Sequence, residues 1–340
     1  MKNTYLDLIQ QTFYFPQDGF EVKNNYLYFH GIPLKQLIEE YETPMRITYL
    51  PKISENIQRA KKYFNDAIRK LNYPGNYNYC YCTKSSHFAH VLVEALKNDI
   101  YLETSSAFDI DIIERLYLNK MLNKDTLIVC NGFKTKIYTQ RISKLANLDF
   151  NIMPVLDNME ELEAYENTII YDCDLGIRIA SEEQPEFQLY TSRLGIRYKE
   201  IKDFYLNKIK PNPKFKLKML HFFINSGIKD NIYYWNELSK LLKVYVELKR
   251  VCPELDSLNI GGGWPFRSSL GFEYDYAYMA EEILNKIKQT CEEENVSCPN
   301  IFTEFGSFTV AESGAFIFSV LAEKHQNDSE RWYMIDNSLM

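Results

Sequence analysis

The sequence predicts an α/β fold, and a (β/α)8 barrel accounts for its pattern better than an open doubly wound sheet, which is the alternative. The chain of 340 residues is 46% hydrophobic, enough to build a core for one large domain or two smaller ones. Short runs rich in β-branched and aromatic residues alternate with polar turns and helical segments. Eight such runs, spread over roughly 270 residues, fit the size and rhythm of a barrel of about 250 residues.

The eight runs follow one another along the chain as barrel strands do. They are MRITYL, YNYCYC, DTLIVC, FNIMPVL, DLGIRIA, LKMLHFF, SLNIGGG and NIFTEF. Apolar residues at helical spacing lie at 53–71, 88–97, 110–118, 233–250 and 274–293. This alternation indicates parallel strands that are joined by helical crossovers.

A different kind of segment precedes the first of these runs. Residues 20–34, FEVKNNYLYFHGIPL, predict two short strands around a turn at Asn24 and Asn25. Two strands alone are marginally stable, so this segment is expected to need a partner sheet that the rest of the sequence does not contain.

Charge and composition exclude several classes of partner. The 39 Lys and Arg residues against 46 Asp and Glu give a net charge of −7 without a long basic run, which argues against nucleic acid. The longest uncharged apolar stretch, residues 314–322, is far shorter than the roughly 20 residues that span a bilayer. Seven cysteines without a Cys-x-x-Cys pair are typical of a reducing compartment. We therefore expect a cytoplasmic protein without membrane or nucleic-acid partners.

Two candidate catalytic residues stand at predicted strand ends, where barrel enzymes place their chemistry. Lys84 directly follows the strand NYNYCYCT. Partial desolvation there would lower its pKa and make the amine a nucleophile for a Schiff base, although a solvated loop lysine is the simpler interpretation. Glu304 ends the run NIFTE. It is placed either to hydrogen-bond a protonated ring nitrogen or to pair with an arginine at the barrel rim.

Two further features are compatible with an anionic ligand. Gly261, Gly262 and Gly263 follow the run LNI, and such glycines let backbone N–H groups approach a phosphate, or simply make a tight turn. Arg178 lies in GIRIAS on a strand expected to be buried, where it needs an anionic partner, either a structural carboxylate or a ligand oxygen. No set of Cys and His residues has zinc-ligand spacing, so no metal is expected.

Taken in order, these motifs resemble the fold type III pyridoxal-phosphate-dependent decarboxylases of ornithine, diaminopimelate and arginine, over nearly the whole chain. The segment YCYCTKSS is similar to the family's cofactor-lysine segment, which implies that Lys84 bonds to the cofactor. GIRIAS followed by TSRLGI implies that Arg178 is the arginine beside the cofactor. TEFGSF implies that Glu304 is the carboxylate at the pyridine nitrogen.

The remaining motifs of the resemblance concern cofactor binding. LHFFINSG resembles the family's ring-stacking and serine segment, which implies cofactor contacts for Phe223 and Ser226. LNIGGGWP resembles its phosphate loop and implies phosphate contacts for the glycines 261–263. The implied cofactor is pyridoxal 5′-phosphate. The implied partner is a small-molecule substrate, a basic amino acid, and the protein is expected to be a homodimer when it is full length.

Substrate preference is suggested by the segment IVCNGFKTKIYTQRI, which most resembles biosynthetic arginine decarboxylases. The resemblance thus implies decarboxylation of L-arginine to agmatine in polyamine biosynthesis. Specificity for diaminopimelate, ornithine or carboxynorspermidine is an alternative, and so is a non-catalytic regulatory relative.

The chain also departs from the family pattern. Phe223 replaces a histidine, Asn225 a glycine and Ser307 an arginine. The resemblance divides the chain into an N-terminal helix and β segment (1–45), a pyridoxal-phosphate-binding barrel of the alanine racemase type (46–325) and the start of a truncated C-terminal β-domain (326–340), to which the N-terminal strands would belong. Without that domain, weak cofactor binding and little arginine decarboxylation are expected.

Overall fold

The computed structural model describes residues 19–183, 190–268, 271–326 and 330–337. The chain divides into two compact units, one of residues 1–52, 266–274 and 311–340, the other of residues 53–265 and 275–310. The boundaries expected from the sequence stay a prediction. Residues 1–18 of its N-terminal segment, and 327–329 and 338–340 of its C-terminal segment, lie outside the described residues.

Strands alternate with helices through most of the described chain. The strands are β1 (Phe20–Lys23), β2 (Tyr26–Phe29), β3 (Ile32–Pro33), β4 (Met45–Thr48), β5 (Tyr77–Cys82), β6 (Tyr101–Thr104), β7 (Ile128–Cys130), β8 (Ile152–Leu156), β9 (Cys173–Arg178), β10 (Glu182–Glu183), β11 (Tyr190–Thr191), β12 (Phe215–His221), β13 (Ser257–Asn259), β14 (Asn300–Phe305), β15 (Gly314–Ile317), β16 (Val320–His325) and β17 (Arg331–Ile335). The helices are α1 (Leu34–Tyr41), α2 (Leu50–Leu71), α3 (Ala89–Leu96), α4 (Ala107–Leu118), α5 (Lys136–Asn147), α6 (Glu161–Thr168), α7 (Tyr198–Phe204), α8 (Ile232–Lys249), α9 (Tyr276–Glu293) and α10 (Ser307–Val310).

Eight parallel strands close into a barrel in the order β5, β6, β7, β8, β9, β12, β13 and β14, and β14 pairs with β5. The predicted (β/α)8 barrel is therefore confirmed. Its interior is filled by side chains from successive strands, including Cys80, Val129, Val155, Met219 and Phe302. Because the strands are parallel, all their carboxyl ends meet at one rim.

One predicted barrel strand is wrong. The run MRITYL contains β4, which pairs antiparallel with β15 instead of entering the barrel. The second barrel strand is β6, with the sequence YLET. Strand propensity indicates a pleated segment but not its partner. The pattern of apolar runs missed β6 because two of its four residues, Glu103 and Thr104, are polar.

The N-terminal strands form as predicted. β1 and β2 pair antiparallel, and Asn24 and Asn25 adopt φ values of 52° and 65°. Two successive left-handed residues make the two-residue turn that matches the twist of a hairpin. β3 then pairs with β2, so this sheet has a third strand that the sequence analysis did not predict.

The five helical ranges predicted from apolar spacing correspond to α2, α3, α4, α8 and α9. Several helices begin at a polar N-cap: the side chains of Ser106, Thr135, Asn231 and Asp275 each accept a hydrogen bond from the backbone N–H three residues on. Within the described ranges, none of the helices combines the length and apolar character needed to cross a membrane.

Candidate active site at the carboxyl end of the barrel

A cavity of about 380 Å³ lies at the rim where the barrel strands end. Its volume is in the range of small-molecule sites. The predicted site residues that line it are Lys84, Arg178, Phe223, Gly262, Gly263 and Glu304. Residues distant in sequence thus converge on one cavity, as expected if they share one ligand.

Lys84 lies in a 3₁₀ turn, Thr83–Ser85, directly after β5. Its Nζ atom is 5.9 Å from the centre of the Phe223 ring. The charge of Glu103 raises the pKa of Lys84 above its usual value, and burial opposes this effect without cancelling it. The expected lowering of this pKa is therefore wrong, because desolvation acts in the expected direction but the nearby carboxylates outweigh it.

Glu304, near the end of β14, is only 6% exposed and is held through one oxygen. Its Oε1 atom accepts hydrogen bonds from the side-chain amides of Asn131, at 2.7 Å, and Asn259, at 2.5 Å. The other oxygen, Oε2, lies 3.8 Å from Nε2 of His221. The two amides fix the orientation of the carboxylate while occupying only one of its oxygens.

His221 is a buried neighbour of Glu304 that sequence reasoning missed. Burial lowers the pKa of His221 to about 4. The charge of Glu304 raises this pKa and the charge of Arg178 lowers it, but burial has the largest effect. The imidazole is therefore neutral near neutral pH. The sequence signal was its place at the end of β12, two residues before Phe223 and thus on the same face of an extended chain.

Glu103, on β6, is the second missed residue. It is 1% exposed, and its Oε1 atom accepts a hydrogen bond from Asn131 Nδ2 at 3.2 Å. Burial, together with the charge of Glu304, raises the pKa of Glu103 to about 7, although Lys84 lowers it. An acidic residue next to the last position of a strand was an available signal, but β6 was not among the eight runs predicted as strands from the sequence pattern.

Glu103 is expected to make the stability of the unloaded protein fall as the pH rises. In the unfolded chain this carboxyl ionises near about 4.3, whereas in the folded protein it keeps its proton until about pH 7. The free energy of unfolding therefore falls as the pH rises between these two pKa values. Glu103→Gln has no carboxyl to titrate, so the variant should lack this pH dependence. The free energy of unfolding is measured with urea for both proteins at pH 5 and at pH 8. The difference between Glu103→Gln and wild type should shift in favour of the variant by about 3 kcal/mol from pH 5 to pH 8. An equal difference at both pH values would contradict this expectation.

The glycine loop after β13 brings backbone to the cavity. A Cβ atom on Gly262 would lie 2.1 Å from the backbone oxygen of Glu304, and one on Gly263, at φ 92°, would lie 2.7 Å from Cα of Gly227. Only glycine fits at these positions, and backbone N–H groups in such a turn can bind a phosphate. Gly261 does not line the cavity, but its backbone oxygen accepts a hydrogen bond from the N–H of Glu304 at 2.8 Å.

Arg178 ends β9 and combines both roles considered from the sequence. It lines the cavity, and its guanidinium carbon is 5.9 Å from the centre of the Phe223 ring. Burial raises the pKa of Asp157, and the charge of Arg178 opposes that rise. The guanidinium thus has a structural carboxylate nearby and also faces the space where an anionic ligand would bind.

Ser226, like Gly261, is a predicted site residue that does not line the cavity. Its side chain is exposed, and the cavity is lined by its neighbour Asn225 and by Ser307. These are two of the positions where the chain departs from the family pattern. A cofactor contact by Ser226 stays a prediction.

The geometry fits pyridoxal 5′-phosphate. A glycine cradle is available for the phosphate, Phe223 and Arg178 lie beside the space for the ring, and Glu304 has an oxygen that neither amide occupies. Lys84 supplies an amine on the same cavity, which is what covalent attachment of an aldehyde needs.

Comparison with known sequences agrees with this chemistry. The family model "Pyridoxal-dependent decarboxylase, pyridoxal binding domain" matches residues 51–311. The biosynthetic arginine decarboxylase of Geotalea uraniireducens is 26% identical over 333 residues, 88% of this chain and 50% of that protein. That of Pelobacter propionicus is 27% identical with the same coverage. The chain spans about half the length of these curated relatives.

Solved structures show the same fold. The biosynthetic arginine decarboxylase of Campylobacter jejuni matches 92% of this chain and 54% of its own, with a TM-score of 0.75 and 22% identity. The diaminopimelate decarboxylase of M. jannaschii matches 95% of this chain and 74% of its own, with a TM-score of 0.80 and 20% identity. The lysine decarboxylase of Selenomonas ruminantium matches 94% of this chain and 75% of its own, with a TM-score of 0.74 and 18% identity.

Proposed function

This chain belongs to the pyridoxal-dependent decarboxylase family, and on that premise we propose that it decarboxylates a basic amino acid with pyridoxal 5′-phosphate held by Lys84. The observation that carries the proposal is the convergence of Lys84, Glu304 and the glycine loop on one cavity. L-Arginine, giving agmatine for polyamine biosynthesis, is the substrate we favour, because the curated relatives at about one quarter identity are named biosynthetic arginine decarboxylases. The assembly we propose for the full-length protein is a homodimer.

The binding roles follow from position. Lys84 Nζ would hold the cofactor covalently, and the backbone at Gly262 and Gly263 would hold its phosphate. Phe223 would pack against the ring, and Arg178 would supply positive charge beside it. When bound, pyridoxal 5′-phosphate supplies an electron sink for the charge that remains on Cα once CO2 is lost.

Glu304 contributes most to the chemistry that the protein itself supplies. An ionised carboxylate favours a protonated partner at its unoccupied oxygen, and the amides of Asn131 and Asn259 hold it in place before a ligand arrives. The neutral state of His221 leaves no imidazolium to compete for that oxygen. This fixed negative charge is the kind of preorganised electrostatic support that lowers a barrier.

A substrate panel tests the proposal. The full-length protein is incubated with pyridoxal 5′-phosphate and, in separate reactions, with arginine, ornithine, lysine, diaminopimelate or carboxynorspermidine. Released CO2 and product amines are measured by mass spectrometry. Preferential formation of agmatine is expected. Preference for another amino acid would overturn the arginine assignment, and bound cofactor without CO2 from any substrate would overturn the enzymatic function in favour of a regulatory role.

Glu304→Gln is expected to separate binding from chemistry. The amide keeps the shape of the side chain and can still accept from Asn131 and Asn259, so cofactor attachment at Lys84 should persist. Without the negative charge, the kcat of the full-length protein on its best substrate is expected to fall by at least about 100-fold. Steady-state kinetics, with the bound cofactor quantified in the same samples, checks this, and unchanged turnover would refute the role of Glu304.

A further inference from the structure

Glu103 is a buried carboxylate of the cavity to which the proposed function gives no task. It lies on β6 directly beside β5, with Cys82 as its Cα partner across the two strands. The hydroxyl of Thr83 donates a hydrogen bond to its backbone oxygen at 3.0 Å. Lys84 directly follows Thr83 in the turn after β5. The side chains of Lys84 and Glu103 therefore line the same cavity from the ends of neighbouring strands.

The two carboxylate oxygens of Glu103 are used unequally. Oε1 accepts from Asn131, whereas Oε2 is buried and accepts no hydrogen bond from the described part of the chain. The neighbouring thiol of Cys82 donates to the backbone oxygen of Glu304 at 3.1 Å, and it also lies close enough to the Glu103 carboxylate to lower the pKa of Glu103. A buried carboxylate oxygen without a donor is costly, and Lys84 has a long, flexible side chain whose ammonium can supply one.

The charges of the two groups act on each other. Glu103 is the strongest influence raising the pKa of Lys84, and Lys84 lowers the pKa of Glu103. Glu304 acts on Lys84 in the same direction as Glu103 but less strongly, while Arg178 opposes both. The other titratable groups that interact with the pair are Cys80, Cys82, Cys130, Tyr138 and His221.

We propose that Glu103, once ionised, is the counter-ion of the Lys84 nitrogen, in the unloaded protein and after that nitrogen carries the cofactor. Oε2 accepts an N–H from Lys84, which fixes the nitrogen in the cavity and keeps it protonated over a wider pH range. Glu103 is thus a positioning residue that acts through Lys84. The inference rests on the proposed function only in that Lys84 bears the cofactor.

The first test needs no cofactor. Competitive acetylation of the unloaded protein with acetic anhydride across a pH series, read by peptide mass spectrometry, gives the pKa of Lys84. Glu103→Gln is expected to lower this pKa by about one unit or more, and Glu103→Asp, which keeps the charge, by less. Asp157→Asn is the matched control, because Asp157 interacts with Arg178 and its loss should leave Lys84 unchanged.

If the pKa of Lys84 in Glu103→Gln equals that in wild type within about 0.3 units, the inference is overturned. Circular dichroism checks that the variant is folded. If Glu103→Gln is not folded, Glu103→Asp decides the question. The pKa of Lys84 must be lower in Glu103→Asp than in wild type, and an equal pKa would likewise overturn the proposal.

The second test uses protein loaded with pyridoxal 5′-phosphate. The absorbance of the bound cofactor is titrated with pH, and the nitrogen joining it to Lys84 is expected to lose its proton at lower pH in Glu103→Gln than in wild type. Loading at Lys84 without this shift would overturn the counter-ion role. Failure of wild type to load at Lys84 would instead overturn the proposed function, and the cofactor-free titration would still decide the role of Glu103.

Discussion

Lys84→Ala is expected to abolish covalent attachment of pyridoxal 5′-phosphate and the visible absorbance band that accompanies it. Alanine has no amine, and no other lysine lines the cavity formed by the described residues. The glycine loop and Arg178 remain, so weak non-covalent binding should persist. Decarboxylation is expected to fall by at least about three orders of magnitude, because covalent catalysis is lost with the nucleophile.

Absorbance spectra of the purified variant after incubation with the cofactor, followed by turnover measurements, check this expectation. Lys97→Ala is the matched control: Lys97 pairs with Glu94 at the protein surface, its side chain 64% exposed, and should leave the absorbance band intact. A normal band in Lys84→Ala would show that another amine holds the cofactor.

Gly262→Ala is expected to have the largest effect on stability. The added methyl would lie 2.1 Å from the backbone oxygen of Glu304, and backbone atoms cannot rotate away as a side chain can. The loop must move, which strains the 2.8 Å hydrogen bond between the Glu304 N–H and the Gly261 oxygen. We expect a loss of about 3 kcal/mol or more, together with impaired cofactor binding.

Urea unfolding measures this loss. Gly271→Ala is the control, since a Cβ atom there meets nothing within 4 Å, and its effect should stay within about 0.5 kcal/mol. A Gly262→Ala protein as stable as this control would contradict the close packing of the loop against β14.

Much of the barrel could be predicted from the sequence because its strands are short apolar runs separated by amphipathic helices. Seven of the eight barrel strands coincide with predicted runs. The exception, β6, carries Glu103 and Thr104, so the polar residue that matters for the cavity is also the one that weakened the strand pattern. The run around Met45 had strand propensity, but its pairing with β15 depends on residues more than 250 positions away.

The candidate site could be predicted in part. The positions of Lys84, Arg178 and Glu304 follow from strand ends and motif order, and all three line one cavity. The electrostatics could not be predicted, because the pKa of Lys84 depends on Glu103 and Glu304, which come from different strands. The hydrogen bonds from Asn131 and Asn259 to Glu304 likewise arise only once the barrel closes.

The central claim is that Lys84 bears the cofactor in the cavity at the barrel rim. The most direct measurement treats the protein with pyridoxal 5′-phosphate, reduces it with borohydride to fix any cofactor to its lysine, and maps the label by peptide mass spectrometry. We predict a pyridoxyl group on the peptide that contains Lys84. A label on a different lysine, or none on folded protein, would contradict the account.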